Sequence, residues 1–300
     1  MDKFISEIEK LKKERNTLIL AHNYQRPEIQ DIADFVADSL ALSQKANNTD
    51  AETIVFCGVD FMAETAAILN PDKKVLLPDL SAKCPMAMML TVMDLINAKK
   101  RYPEADVVLY INSSAETKAC ADCICTSANC IEIVNSMDSD TILFGPDKNL
   151  AYYVNKKTDK KIISVPEYGV CSTHHQLSKD DVLKTMKKYP NAKLVVHPET
   201  IPEVQDLADK IASTEGIIEY CKNSDTDEFV IGTENGIIYK MKKLMPEKRF
   251  YFASQETVCP PMKMVTLEKL RNSLRDEKYI ITVSDEIADR ARKSIRRMLS

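Results

Sequence analysis

Three cysteines have a spacing that would let them bind one metal centre together. Cys84, Cys171 and Cys259 lie 87 and 88 residues apart, each shortly after the third β-rich run of a repeated segment. Core packing does not require the same residue type at the same position of three repeated segments. Binding of one shared metal does require it, because each segment must then supply a ligand. Three thiolates suit a soft metal or an iron–sulfur cluster. A cluster with three protein ligands keeps one iron open, which can act as a Lewis acid on a substrate hydroxyl or carboxylate.

Histidines and a tyrosine share a second repeated phase. His22, Tyr110 and His197 are 88 and 87 residues apart, at the end of the first β-rich run of each repeat. The chain has only four histidines, and His174 lies three residues after Cys171. Because histidine commonly serves as an acid or base near neutral pH, these positions predict proton transfer close to the metal.

Two residues beyond that phase, each repeat carries a group that can exchange protons or hydrogen bonds. These groups are Tyr24, Asn112 and Glu199. We expect Glu199 to act as a base and Tyr24 as its proton-donating partner, since a neutral phenol can hold an enol oxygen. The alternative is that Glu199 caps the helix that follows it, in which case the base would be a histidine of the preceding phase.

Hydroxyl side chains occupy a third repeated phase. Ser39, Ser127 and Thr214 are 88 and 87 residues apart and precede segments that resemble helix starts. Such hydroxyls commonly cap helices. Three helix N-termini directed at one centre would also bind carboxylate or phosphate groups, and the two roles are compatible.

A local cysteine cluster competes with the dispersed triplet as a metal site. Cys120, Cys123, Cys125 and Cys130 have spacings typical of an iron–sulfur or zinc loop. The sister repeats carry apolar residues at most of these positions, and a free cysteine packs as a small hydrophobe. We therefore expect these four cysteines to belong to the core, while a second metal site or a disulfide stays open.

The repeat also organises the fold. Short runs rich in Val, Ile and Phe recur three times per repeat and indicate buried parallel strands that alternate with helices. The first runs are 17–23, 106–112 and 193–199, the second are 53–58, 141–145 and 229–232, and the third are 74–78, 161–166 and 249–253. An Ala-Asp pair recurs between the first and second run of each repeat.

This alternation predicts an α/β protein of three similar three-layer αβα domains with parallel sheets. The expected ranges are 1–102 with an N-terminal helix, 103–189, and 190–300 with a closing strand and helix from about residue 279. Ligands of parallel α/β sheets bind beyond the carboxyl ends of the strands. Three such ends around a pseudo-threefold axis would enclose one central site.

Composition excludes several classes of function. The 300 residues carry a formal net charge of −4, which argues against a nucleic-acid partner. The six glycines form no G-x-G-x-x-G or G-x-x-x-x-G-K-[ST] motif, so the common nucleotide loops are absent. No run is long and apolar enough to span a membrane, and the N-terminus lacks the features of a signal peptide. We expect a cytoplasmic protein whose nine cysteines are thiols or metal ligands.

The motifs together resemble the quinolinate synthase A family over essentially the whole chain. They are H-N-Y at 22–24, A-D-S at 37–39, G-V-D-F-M-A-E-T at 58–65, Y-x-N at 110–112, T-S-A-N at 126–129, G-P-D-K-N-L-A at 145–151, H-P-E at 197–199, A-S-T-x-G at 212–216 and the three separated cysteines. The resemblance implies a triangular arrangement of three α/β domains around a [4Fe–4S] cluster. It also implies condensation of iminoaspartate with dihydroxyacetone phosphate to quinolinate, with loss of phosphate and water, as a step of de novo NAD synthesis.

Carried over by position, the resemblance assigns Cys84, Cys171 and Cys259 to the cluster. The substrate contacts that it implies are His22, Ser39, Tyr110, Ile111, Asn112, Ser127, His174, His197, Pro198, Glu199 and Thr214, and the catalytic residues are Glu199, Tyr24 and His22. An enzyme that oxidises aspartate is the expected source of iminoaspartate. Two other functions stay open: an iron–sulfur hydro-lyase for another hydroxy acid, and a metal or redox sensor that uses Cys120–Cys130.

Overall fold

A computed structural model describes residues 2–299 and contains three four-stranded sheets, all parallel and all flanked by helices. The strands of the first sheet are β1 Thr17–His22, β2 Phe35–Ala37, β3 Thr53–Cys57 and β4 Lys74–Leu76. Those of the second are β5 Asp106–Tyr110, β6 Cys123–Cys125, β7 Thr141–Gly145 and β8 Lys161–Ser164. Those of the third are β9 Lys193–Val196, β10 Lys210–Ile211, β11 Glu228–Gly232 and β12 Arg249–Phe252. The three-layer α/β class predicted from the repeat is confirmed.

Each sheet has the same strand order, in which the first strand lies beside the third. The orders are β2-β1-β3-β4, β6-β5-β7-β8 and β10-β9-β11-β12. All five residues of β3 are buried, as expected for a strand covered by helices on both faces. The nine predicted runs are strands, and each sheet contains a short edge strand that the sequence did not reveal. Cys123 and Cys125 lie in the edge strand of the second sheet.

The helices cover the sheets and connect successive parallel strands. They are α1 Asp2–Glu14, α2 Pro27–Ile32, α3 Ser39–Asn47, α4 Asp60–Leu69, α5 Val92–Arg101, α6 Ala115–Lys118, α7 Cys130–Ser136, α8 Lys148–Asn155, α9 Ser172–His175, α10 Lys179–Lys188, α11 Pro202–Gln205, α12 Thr214–Asn223, α13 Ile237–Leu244, α14 Leu267–Asp276 and α15 Asp285–Leu299, with a short 3-10 turn at Pro261–Lys263.

The recurring Ala-Asp pair fixes the start of the first strand in every sheet. Asp34 accepts the backbone N–H of Ile19 at 2.8 Å, and Asp122 accepts that of Val107 at 2.7 Å. Asp209 makes the same contact in the third sheet, again at 2.7 Å. In each sheet one aspartate carboxylate therefore joins the segment before the edge strand to the amino end of the neighbouring first strand. This shared contact explains why the Ala-Asp pair recurs.

The C-terminal segment returns to the first two sheets instead of completing the third. Ile280 forms an isolated antiparallel bridge with Leu76 of β4, so the expected closing strand is wrong. Helix α14 packs on α1, where Arg271 pairs with Glu7 at 2.7 Å, and α15 packs on α4, α6 and β6. The apolar faces of these helices cover sheet surface that would otherwise face water. The remaining domain boundaries stay a prediction, and Met1 and Ser300 lie outside the described residues.

Candidate active site

The carboxyl ends of the three sheets face one cavity with about 60 Å³ of free space. Most of the residues singled out by their spacing line it. These are His22, Tyr24, Ser39, Cys84, Tyr110, Asn112, Ser127, Cys171, His174, His197, Glu199, Thr214 and Cys259. Ile111 and Pro198 are buried in the turns beside them and are not part of the described lining. Residues about 87 positions apart in sequence thus meet at one place, as a pseudo-threefold arrangement requires.

The three dispersed cysteines are half-buried, and all three line the cavity. Burial raises the pKa of each thiol, to about 11 for Cys259. For Cys171 and Cys84, nearby thiolates and Glu199 raise the pKa further. Three soft donors that repel one another as thiolates are a set that a bound cation would stabilise, because the metal removes both the repulsion and the cost of burial.

Glu199 is a buried carboxylate held by hydrogen-bond donors. Its Oε2 lies 2.7 Å from Nδ1 of His174 and 3.8 Å from Nδ1 of His197. Burial alone would raise the pKa of Glu199, but His174 and a hydrogen bond from the Tyr110 hydroxyl outweigh it and hold the pKa well below its usual range. Glu199 does not cap a helix, because α11 begins three residues later with Ile201 as its N-cap.

A chain of buried hydrogen bonds connects Tyr24 to Glu199. The Tyr24 hydroxyl lies 2.6 Å from Oγ1 of Thr233, and that oxygen lies 2.8 Å from Nε2 of His174. Because the carboxylate of Glu199 can only accept, Nδ1 of His174 carries a proton and donates it to Glu199. Burial and the charge of Glu199 raise the pKa of Tyr24, which keeps the phenol neutral.

Two further histidines are held in the neutral form. Burial, with a smaller contribution from a neighbouring histidine, lowers the pKa of His22 and of His197 to about 3. In each case Nδ1 faces the backbone N–H two residues later, at 3.2 Å for Tyr24 and 3.3 Å for Glu199. Nε2 of His197 lies 3.1 Å from the Ser127 hydroxyl. Neutral rings with fixed orientation can donate or accept a hydrogen bond at the cavity surface.

The three repeated hydroxyls do not cap helices as predicted. The caps lie one residue earlier in two repeats, where Asp38 accepts from the backbone of α3 and Ser213 from that of α12. Thr214 instead accepts a hydrogen bond from Asn23 at 2.9 Å, and Ser127 precedes the N-cap of α7 by two residues. Ser39 and Ser127 both line the cavity, and in α3 the adjacent Asp38 supplies the cap.

The local cysteine cluster belongs to the core. Cys123, Cys125 and Cys130 are buried among apolar residues, and Cys120 is partly buried beside them. All nine cysteines are free, which leaves no disulfide among these four. Among residues 2–299, the one group of three metal-ligating side chains with atoms within 4.8 Å of one another is Cys171, His174 and Glu199, which lies inside the cavity.

Comparison with known proteins identifies the family. The family model described as quinolinate synthetase A protein matches residues 6–300. The chain belongs to this family. It is 57% identical over 293 residues to a protein from Pyrococcus furiosus named quinolinate synthase, covering 98% of this chain and 96% of that protein. It is 52% identical over 300 residues to a protein of the same name from Methanocaldococcus jannaschii, covering 98% of each.

Sequence reasoning missed some residues of this quinolinate synthetase A family site. Thr233 is the link in the hydrogen-bond chain, but its sister positions are Val59 and Pro146, so the repeat gave no signal. Oδ1 of Asn112, which was predicted, is buried in the cavity wall without a partner among the described residues. An unpaired buried oxygen of this kind is available to a ligand.

Within residues 2–299, no helix is long and apolar enough to cross a membrane.

Proposed function

We propose that this chain is a quinolinate synthase that condenses iminoaspartate with dihydroxyacetone phosphate. The reaction is a carbon–carbon condensation with dephosphorylation and dehydration, and it belongs to de novo NAD synthesis. The observation that carries the proposal is that Cys84, Cys171 and Cys259 come from three sheets and line one cavity together with Glu199 and His174. The relatives named quinolinate synthase, which match over nearly the whole chain, support it.

The three cysteines fit a [4Fe–4S] cluster with one open iron. They supply three soft sulfur donors from separate loops, so Glu199 and His174 are not needed as cluster ligands. When bound, the cluster would supply a Lewis acid for a substrate oxygen. The Cys171, His174 and Glu199 group is the competing metal site, but a metal there would occupy the acid–base residues.

Proton transfer would use the Tyr24–Thr233–His174–Glu199 chain. Glu199 is ionised in the free site and is the proton acceptor, while the neutral phenol of Tyr24 is the donor. A low pKa makes Glu199 a weak base, but a dicarboxylate bound beside it adds negative charge and raises that pKa. His174 keeps the pair aligned, because its two ring nitrogens contact Glu199 and Thr233.

Recognition of the substrate anions would use the neutral groups around the cavity. The hydroxyls of Ser39, Ser127 and Thr214 and the imidazole of His22 can donate to carboxylate or phosphate oxygens. Asn112 offers an amide, and Tyr110 a phenol. A site rich in neutral hydrogen-bond donors binds the substrate anions while Glu199 stays available as a base. The unstable imine, iminoaspartate, would be supplied by an enzyme that oxidises aspartate.

The proposal is tested by supplying both substrates to anaerobically purified protein. Iminoaspartate and dihydroxyacetone phosphate together should yield pyridine dicarboxylate and inorganic phosphate in equal amounts, and either substrate alone should yield none of the dicarboxylate. A variant with Cys84→Ser should lose the activity, whereas Cys123→Ala serves as a control for the loss of a buried thiol. Turnover of another hydroxy acid, without quinolinate, would favour the hydro-lyase function instead.

A further inference from the structure

A carboxylate holds the backbone of each proposed cluster ligand. In every repeat, the cysteine N–H donates to an acidic side chain located 24 or 25 residues earlier in the chain. The pairs are Asp60 with Cys84 at 3.0 Å, Asp147 with Cys171 at 2.8 Å and Glu234 with Cys259 at 3.1 Å. These three acidic residues are 87 residues apart in sequence. Each lies two positions after a glycine that ends or directly follows β3, β7 or β11.

The same carboxylates also bind the backbone at the start of the helix that follows the strand. Oδ1 of Asp60 accepts from the N–H of Phe61 at 2.9 Å, and Oδ1 of Asp147 accepts from that of Leu150 at 2.7 Å. Oε2 of Glu234 accepts from the N–H of Gly236 at 2.7 Å. Each acidic group therefore joins the start of a helix to a cysteine loop, and so holds the cysteine in a fixed position relative to its sheet.

The contact also controls which hydrogen bonds reach the sulfurs. A cysteine N–H that is bonded to a carboxylate cannot donate to a cluster sulfur. Cys84 and Cys259 instead receive the backbone N–H of the residue three positions later, Ala87 and Met262. Hydrogen bonds to the sulfurs and the surrounding charge are the main protein contributions to the reduction potential of such a cluster.

The three carboxylates differ in how far their charge is compensated. Glu234 is buried and pairs with Lys263, 2.8 Å from its Oε1. Asp147 is buried, and its hydrogen bonds come from backbone N–H groups. Asp60 is half-buried, and one oxygen, Oδ1, accepts both of its backbone bonds. Negative charge behind a ligand disfavours the addition of an electron to the cluster.

We propose that Asp60, Asp147 and Glu234 are positioning residues that hold the three cysteines by their backbone, and that the charge of Asp60 keeps the cluster oxidised. This inference rests on the proposed function, since it assumes that the cluster is present. An oxidised cluster leaves more positive charge at its open iron, which is the state that suits a Lewis acid. The set also explains why an acidic residue recurs beside the glycine in all three repeats.

The test separates the charge of Asp60 from its contact with the backbone. Asp60→Asn retains Oδ1, so it keeps both backbone bonds and removes only the charge. In the anaerobic holoprotein, a potentiometric titration should show at least a tenfold shift toward the reduced cluster, which is about 59 mV for a one-electron couple. Asp60→Ala removes the contact as well, and its iron should pass to a chelator at least tenfold faster than in the parent.

Asp122→Asn and Asp122→Ala are the matched controls, because Asp122 binds a backbone N–H at the opposite, amino end of a strand. Both controls should keep the potential and the rate of iron loss of the parent. A parent-like potential in Asp60→Asn overturns the charge role, and parent-like iron loss in Asp60→Ala overturns the positioning role. Loss of the cluster from Asp60→Asn, which retains both backbone bonds, would overturn the positioning role, because the contact without the charge should still hold the cysteine. A parent protein that holds no iron contradicts the proposed function itself.

Discussion

Replacement of Thr233 by valine should break the hydrogen-bond chain between Tyr24 and His174 while leaving the volume of the site unchanged. Valine replaces the hydroxyl by a methyl group of similar size. The lost contacts are the 2.6 Å bond to the Tyr24 hydroxyl and the 2.8 Å bond to Nε2 of His174. Both partners are buried, and the methyl group of valine offers neither of them a hydrogen bond.

The magnitude follows from the two bonds. A net loss of about 1–1.5 kcal/mol for each gives about 2–3 kcal/mol in the free energy of unfolding. Catalysis should fall by about 10²-fold or more, the usual contribution of a positioned acid or base, because the phenol and the imidazole lose their common partner. Thr233→Ser keeps the hydroxyl and should restore most of both quantities.

Thr257→Val is the matched control for this change. Thr257 is as buried as Thr233, but its hydroxyl has no partner among the described residues, so its loss should cost almost no stability. The measurements are urea unfolding and the rate of quinolinate formation, both without oxygen. Equal stability and equal rates in Thr233→Val and Thr257→Val would refute the role of the hydrogen-bond chain.

Three further predictions concern the cavity. Glu199→Gln should keep iron and fold but lower the rate of quinolinate formation by about 10²-fold, and a near-normal rate would move the base to a histidine. Lowering the pH from 7 to 5 should reduce the free energy of unfolding by about 2 kcal/mol for each of His22 and His197, because their pKa is about 3 in the folded protein and about 6.5 in the unfolded chain. In denaturant titrations His22→Gln should make the stability less dependent on pH, and the control His175→Gln should change that dependence much less. Ser127→Ala should raise KM at least tenfold with less than about 1 kcal/mol lost in stability, since Ser127 caps no helix; unchanged steady-state kinetics would exclude it from anion binding.

The repeat was sufficient to predict the layered fold and the convergence of the three cysteines. Both depend on residues that recur with a constant period, such as the glycines at 58, 145 and 232. The short edge strands were missed because two or three residues show no alternation that distinguishes a strand from a loop. The helix caps were placed one residue late because Asp38 and Ser39 are adjacent polar residues, and only the backbone geometry shows which one caps.

The destination of the C-terminal segment could not be predicted from local pattern. The run at 279–286 resembles the start of another repeat, but tertiary contacts place Ile280 beside Leu76 in the first sheet. The acidic residues behind the cysteines are a different case. Their recurrence two positions after a glycine is visible in the sequence, but the contact that explains it joins segments 24 or 25 residues apart.

The central claim is that cysteines from three sheets hold one cluster, and iron content tests it most directly. Anaerobically purified parent protein should contain about four iron and four sulfide per chain, as a [4Fe–4S] cluster requires. Single Ser variants of Cys84, Cys171 and Cys259 should each lose most of both, whereas a combined Cys120/Cys123/Cys125→Ala variant should retain them. Retention of iron by Cys84→Ser, with its loss from the combined variant, would contradict the account.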